Sequence, residues 1–339
     1  MTNGTQRKGI YRLAMGAMLL ALATEAPGKS AWGQEPTGEL VPLAHWPEAG
    51  DRAAPARGQR SAVVLVPGML AGERSMGALR QQLADAKIPA AMFRYDSNVG
   101  VEPAADRLNE LLAVAVAGQP QFRITLVTHS MGGLVARQVV ESPDWTSDRV
   151  DRLIMIAPPN AGSSLATLDS AEVKRTLSNL QFDQQRVLID ERAARLLDTA
   201  LGQFLGDARQ DLAPGSEVLK RLDRLERNPR VQYSILAGSG GPIPGWVRTV
   251  GQLLLAKQSF QRPEQAEKLK TVFQTANRDE WIEGLGDGVV ATRSTRLSGV
   301  VDHQELDFAH NDISQSPDTD TARRLVDEVM RRVQANAAE

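Results

Sequence analysis

The stretch FRITLVTHSMGGLVARQVV, from Phe122 to Val140, constrains the fold more than any other part of the chain. Ile124, Leu126 and Val127 form an apolar run that predicts a buried strand, and Leu134, Val135, Gln138 and Val139 follow at helical spacing. Between the two periods lies Thr128-His129-Ser130-Met131-Gly132. It fits the pattern of a nucleophile elbow, with Thr where the first Gly usually stands. A serine held in so sharp a turn has a strained backbone, so bulky neighbours would clash across it. Gly132 and Gly133 meet that need downstream, and Thr128 is small. At the start of a helix, free N–H groups and the helix dipole favour a developing negative charge. The N–H of Met131 is therefore one expected oxyanion donor.

The rest of the chain repeats this alternation. SAVVLV at Ser61–Val66 suits a strand buried on both faces, and Pro67-Gly68-Met69-Leu70 turns after it. Met76, Leu79 and Leu83 mark one helix, and Ala90 to Tyr95 an extended run. Leu108, Leu111, Leu112, Ala115 and Val116 mark a second helix. RLIMIA at Arg152–Ala157 and VQYSILA at Val231–Ala237 are further strands. Short strands are also expected at Val289-Val290 and near Val300-Val301, and Leu325, Val326, Val329, Met330 and Val333 mark a closing helix. Strands and helices in this order predict an α/β fold with a mostly parallel central sheet covered on both faces. Ligands of such sheets bind at the carboxyl ends of the strands. Two helical insertions, about 164–229 and 244–282, interrupt the alternation and are expected to form a cap or lid. The first carries a stripe at Leu188, Leu196, Leu197, Leu201 and Phe204, then a helix capped by Ser216.

A hydroxyl becomes a good nucleophile when a base takes its proton, and an imidazole oriented by a buried carboxylate is the usual base. The chain has four histidines. His45 precedes the core, and His129 adjoins the serine and is expected to point away from it. His303 rivals His310, which is preferred because it lies in a loop just before the terminal helix. Asp287, between glycines in Gly286-Asp287-Gly288, is preferred as the acid over Asp302, Asp307 and Asp312. Ser130, Asp287 and His310 then follow the order Ser, acid, His. The N–H of Met69 is the expected second oxyanion donor, with Gly68 allowing close approach of substrate.

The segments VVLVPGML, VTHSMGGLVAR, IAPPNAGSSLA, DLAPGSEVLKRL, SILAGSGG, GDGVVATRST and FAHNDI resemble those of bacterial α/β-hydrolase-fold lipases and esterases. They are most similar to the triacylglycerol lipase-like group, which includes related deacylases and thioesterases. The resemblance spans about Ser61 to Val333. It implies Ser130 as nucleophile, Asp287 as acid, His310 as base, and Met69 and Met131 as oxyanion donors. Two positions depart from the pattern: Pro67 stands where relatives usually carry His, and Thr128 where they carry Gly or Ala. Some lipases of this kind hold calcium, but no ligand set for it assembles in this sequence.

With 339 residues, a formal charge of −2 and no cysteine, the chain offers no nucleic-acid footprint, thiol nucleophile or cysteine-ligated metal. No cofactor or metal is expected. The expected partner is a small-molecule or lipid ester, with transient contact to a lipid surface. Arg7, Lys8 and Arg12 precede the apolar stretch Leu13–Ala23, as in a secretory signal peptide, here placed at 1–33. Residues 34–60 are expected to be linker, with a short docked stretch around Leu40 to Trp46. The hydrolase domain is placed at 61–339, in a secreted or periplasmic protein. Hydrolysis of esters with hydrophobic acyl groups leads the functional readings. Acyl transfer or thioester cleavage by the same groups follows, and then a binding protein without turnover.

Overall fold

The computed structural model describes residues 38–43, 45–46, 61–69, 75–117, 122–143, 148–168, 207–246, 248, 252, 278–314 and 319–335. The signal segment and most of both insertions, including the stripe from Leu188 to Phe204, lie outside these.

Seven strands make one sheet in the order β1-β3-β2-β4-β5-β6-β7. They are β1 (Glu39–Pro42), β2 (Ser61–Val66), β3 (Ala90–Arg94), β4 (Arg123–His129), β5 (Val150–Ile156), β6 (Gln232–Gly238) and β7 (Asp302–Leu306). All neighbours are parallel except β1, which runs antiparallel along β3 from Glu39↔Arg94 to Pro42↔Ala91. The folded sheet thus includes residues ahead of Ser61. Pro42 is tolerated there because an edge strand can spare an N–H.

The continuous apolar runs follow from burial on both faces. Val64 and Val66 of β2 join Leu126 of β4 in the core on one face, while Val63 and Leu65 join Val127, Ile154 and Leu236 on the other. Helices α1 (Gly77–Asp85) and α5 (Asp320–Ala335) cover the second face. Helices α2 (Val101–Ala115) and α3 (Met131–Glu141) cover the first. Helix α4 (Glu217–Arg224) starts as expected at Ser216, whose hydroxyl accepts from Leu219 N–H at 3.2 Å.

Two short strands differ from expectation. Val289 and Val290 form bends rather than a strand, because their N–H groups turn onto the Asp287 carboxylate instead of a neighbouring strand. The last strand begins at Asp302, past Val300-Val301, and Val301 is 97% exposed. Strand registers such as Val66↔Thr128, His129↔Ile156 and Gly238↔Leu306 bring the carboxyl ends of β2, β4, β5, β6 and β7 to one edge.

Candidate active site

Ser130 sits in the turn between β4 and α3 with φ 53° and ψ −129°, a conformation costly for any residue with a side chain. The turn holds because strand and helix are both fixed around it. Ser130 N–H donates to the carbonyl of Ile156 at 2.9 Å, and Gly133 N–H donates back to Ser130 O at 2.9 Å. A Cβ on Gly132 would stand 2.3 Å from Val66 O and 2.6 Å from Pro67 O, and one on Gly133 would stand 2.9 Å from Pro158 Cβ. Those glycines let α3 press directly onto the ends of β2 and β5. Thr128 is fully buried, and its hydroxyl is 3.4 Å from the Ile154 carbonyl, so its polar atom is directed into the sheet.

Behind the elbow, Arg137 of α3 is wholly buried. Its guanidinium donates to Glu141, to Asn160 Oδ1 at 3.0 Å and to the Leu222 carbonyl at 3.2 Å. These bonds tie the elbow helix to the loop after β5 and to α4. Sequence reading passed over Arg137, since a charge on a helix ordinarily signals a solvated face.

Asp287 and His310 are brought into contact. His310 Nδ1–H donates to Asp287 Oδ2 at 2.7 Å, with both side chains buried. The other carboxylate oxygen accepts from Val289 N–H at 2.9 Å and Val290 N–H at 2.7 Å. The backbone joins them again, since His310 N–H donates to Asp287 O at 2.9 Å. Because the carboxylate can only accept, Nδ1 carries the proton and the neutral ring keeps its free lone pair at Nε2. That nitrogen is buried and makes no hydrogen bond among the described residues. The loop that carries His310 is closed by Asp312, whose carboxylate accepts from Ala309 N–H at 2.9 Å. A Cβ on Gly238 would stand 2.6 Å from Asp287 Cβ, so the acid loop packs against the very end of β6.

The other acids and the rival base stand apart. Asp302 is engaged by Arg332 of α5 through both oxygens, and Asp307 is exposed. His303 faces Thr295, its Nε2 lying 2.8 Å from the Thr295 hydroxyl. His45 is exposed.

His129, expected to point away from the serine, has a partner the sequence did not indicate: its Nε2–H donates to the carbonyl of His310 at 2.9 Å, and the two rings lie 4.6 Å apart at 45°. Burial, and after it the repulsion that a second proton-bearing ring at His310 would exert, holds the pKa of His129 well below the ordinary imidazole value. Only the bond to the His310 carbonyl opposes that shift. No local signal in the sequence links residues 129 and 310; the contact exists because β4 and the loop after β7 end at the same edge.

Met69 lies in the turn after β2, and Met131 opens α3 directly after Ser130; both are buried. A Cβ on Gly68 would stand 2.8 Å from Ser130 Cβ and 3.4 Å from its hydroxyl, so the turn after β2 lies against the serine. Among the described residues no group of His, Asp and Glu is arranged to hold a metal ion, and no helix is long and apolar enough to cross a membrane.

This sheet, its order and the edge at which these groups meet define the α/β-hydrolase fold. In the mature form of Bacillus licheniformis lipase BlEst2 the same fold superposes with a TM-score of 0.52 at 16% identity, covering 88% of this chain and 98% of that one. The propeptide form of that lipase gives 0.50 at 17% identity over 87% of this chain, which spans 54% of the longer protein. Residues 42–312 match the family model described as a domain of unknown function, DUF7379, and the chain belongs to that family. No curated protein matches it.

Proposed function

We propose that this protein is a serine hydrolase that cleaves carboxylic esters through an acyl-enzyme. The reading rests above all on the buried His310–Asp287 pair, with one imidazole nitrogen held by the carboxylate at 2.7 Å and the other left for proton transfer. Ser130 Oγ attacks the ester carbonyl as its proton passes to His310 Nε2. The oxyanion that forms is met by the N–H groups of Met69 and Met131. Collapse breaks the carbon–oxygen bond, and the leaving alcohol takes the proton back from His310. Water, activated by the same imidazole, then cleaves the acyl-enzyme and frees Ser130. Asp287 holds the tautomer of the neutral ring and stabilises the imidazolium that forms. The apolar stripes in the sequence of the two insertions favour a hydrophobic acyl chain. The basic and then apolar leader from Arg7 to Ala23 supports export.

The test compares wild type with Ser130→Ala on p-nitrophenyl esters from acetate to palmitate, alongside labelling with a fluorophosphonate. Serine-dependent turnover with rapid labelling of Ser130 is expected. A wild-type protein that turns over no ester and resists the label sinks the proposal.

A further inference from the structure

The turn that carries the Met69 N–H is poorly able to brace itself. Pro67 has no N–H to donate, and Gly68 has no side chain to restrain its backbone. Yet the turn must hold one orientation, since it lies against Ser130 on one side and its Pro67 carbonyl lies over Gly132 on the other. The restraint comes from the neighbouring strand. Strand β3 runs parallel to β2 with Leu65 opposite Met92. Continuing that register sets Pro67 level with Arg94 and Tyr95 one step beyond. There the Tyr95 hydroxyl donates to the Pro67 carbonyl at 2.9 Å.

The Tyr95 ring is itself held firmly. It stacks on the buried Phe93 of β3, with ring centroids 4.7 Å apart and planes 8° from parallel. Burial raises the pKa of the hydroxyl, so it remains a protonated donor at any pH where an imidazole base works. A trans peptide is planar, so fixing the Pro67 carbonyl also fixes the Gly68 N–H on the opposite side. Only the two Gly68 torsions then remain between that plane and the Met69 N–H.

Resting on the ester-hydrolase reading above, we infer that Tyr95 is a positioning residue for the oxyanion site: its hydroxyl clamps the Pro67–Gly68 peptide and so aims the Met69 N–H. It touches no reacting atom. Its effect falls on the transition state rather than on substrate binding, because the oxyanion exists only after attack.

Tyr95→Phe removes the hydroxyl and keeps the stack on Phe93. The full chain is assayed for kcat and KM on p-nitrophenyl butyrate, and for inhibition by an alkyl trifluoromethyl ketone, whose serine adduct carries the same oxyanion. A fall in kcat of about tenfold to a hundredfold is expected, with KM changed less than about threefold. The ketone should weaken by the same factor as kcat. Unchanged kcat and ketone affinity would overturn the inference, as would losses that track melting temperature and fall on KM alone. Amide hydrogen exchange over Val66–Met69 gives a readout free of turnover. Tyr95→Phe is expected to speed it, and unchanged exchange overturns the clamp. If wild type is inert towards esters and the ketone, the hydrolase reading fails, while the exchange measurement still decides the clamp.

Discussion

In the proposed hydrolase, the nucleophile side and the acid–base side of the site are built by different physics. Around Ser130, six consecutive residues from Thr128 to Gly133 make the turn. Besides two backbone bonds at Ser130, what shapes them is steric: Gly132 and Gly133 admit backbone and side-chain atoms that any Cβ would strike. Around His310 the parts come from loops 23 residues apart, and what holds them is polar. His310 donates from its ring to the Asp287 carboxylate and from its N–H to the Asp287 carbonyl, and accepts at its own carbonyl from His129. A serine can be presented by a strained backbone because it needs only exposure at one point. A base must hold a tautomer and an angle, which takes several directional bonds. The elbow is therefore expected to fail through folding, and the acid–base side through catalysis.

The largest effect belongs to the residue common to both halves of the proposed reaction. Ser130→Ala is expected to lower kcat by about 10⁴-fold or more on esters. Ser130→Gly should be equally inactive but more stable than Ser130→Ala, because glycine relieves the positive φ of 53°. A calorimetric comparison of the two variants checks the strain at the elbow; equal melting temperatures would remove strain from the account.

Asp287→Asn comes next and separates chemistry from folding. The amide oxygen can keep the bonds from Val289 and Val290 N–H, which turns the amide N–H₂ towards His310 and forces the wrong tautomer. kcat should drop about 10⁴-fold, while circular dichroism and melting temperature stay near wild type. A variant that unfolds instead would show the acid to be chiefly a structural group.

Gly132→Ala tests the steric half. Its Cβ would meet the backbone of Val66 and Pro67, which cannot move as a flexible side chain can. A stability loss of about 3 kcal/mol is expected in urea titrations, with activity lost in proportion to folded protein. Behind it, Arg137→Ala should cost about 2 kcal/mol, by removing one of the two guanidiniums paired with buried Glu141 and leaving Arg227 at 3.2 Å as its remaining partner.

The smallest effect is expected at His129. Replacing it with Phe keeps a ring of similar size and leaves the His310 carbonyl without its donor, at a cost of about 1–2 kcal/mol. Because the folded chain holds the pKa of His129 below its unfolded value of 6.5, the unfolded chain takes up the extra proton as pH falls below that value. Stability therefore drops with acidity below about pH 6.5 and is fully present above it. His303 shifts in the same direction, through burial first. His129→Phe should make the dependence of melting temperature on pH shallower below 6.5 without abolishing it. An unaltered slope would place the proton uptake elsewhere.

The alternating strands and helices and the sharp turn at Ser130 were legible, because each rests on short-range periodicity or on residues adjacent in the chain. Asp287 was preferred over Asp302, Asp307 and Asp312 for its flanking glycines, and it lies 2.7 Å from His310 Nδ1. The Val289-Val290 strand was misread because an apolar pair signals burial without saying what its N–H groups will meet. They meet the carboxylate two and three residues before them.

The sequence by itself determined where the chain turns, which faces are apolar and which chemical groups are available. Tertiary structure alone decided which polar groups meet. His129 on His310, Tyr95 on Pro67 and Arg137 on Asn160 join residues 181, 28 and 23 positions apart. Periodicity carries no information about such pairs, since burying a polar atom demands a partner but leaves its identity to the register of strands and the packing of loops.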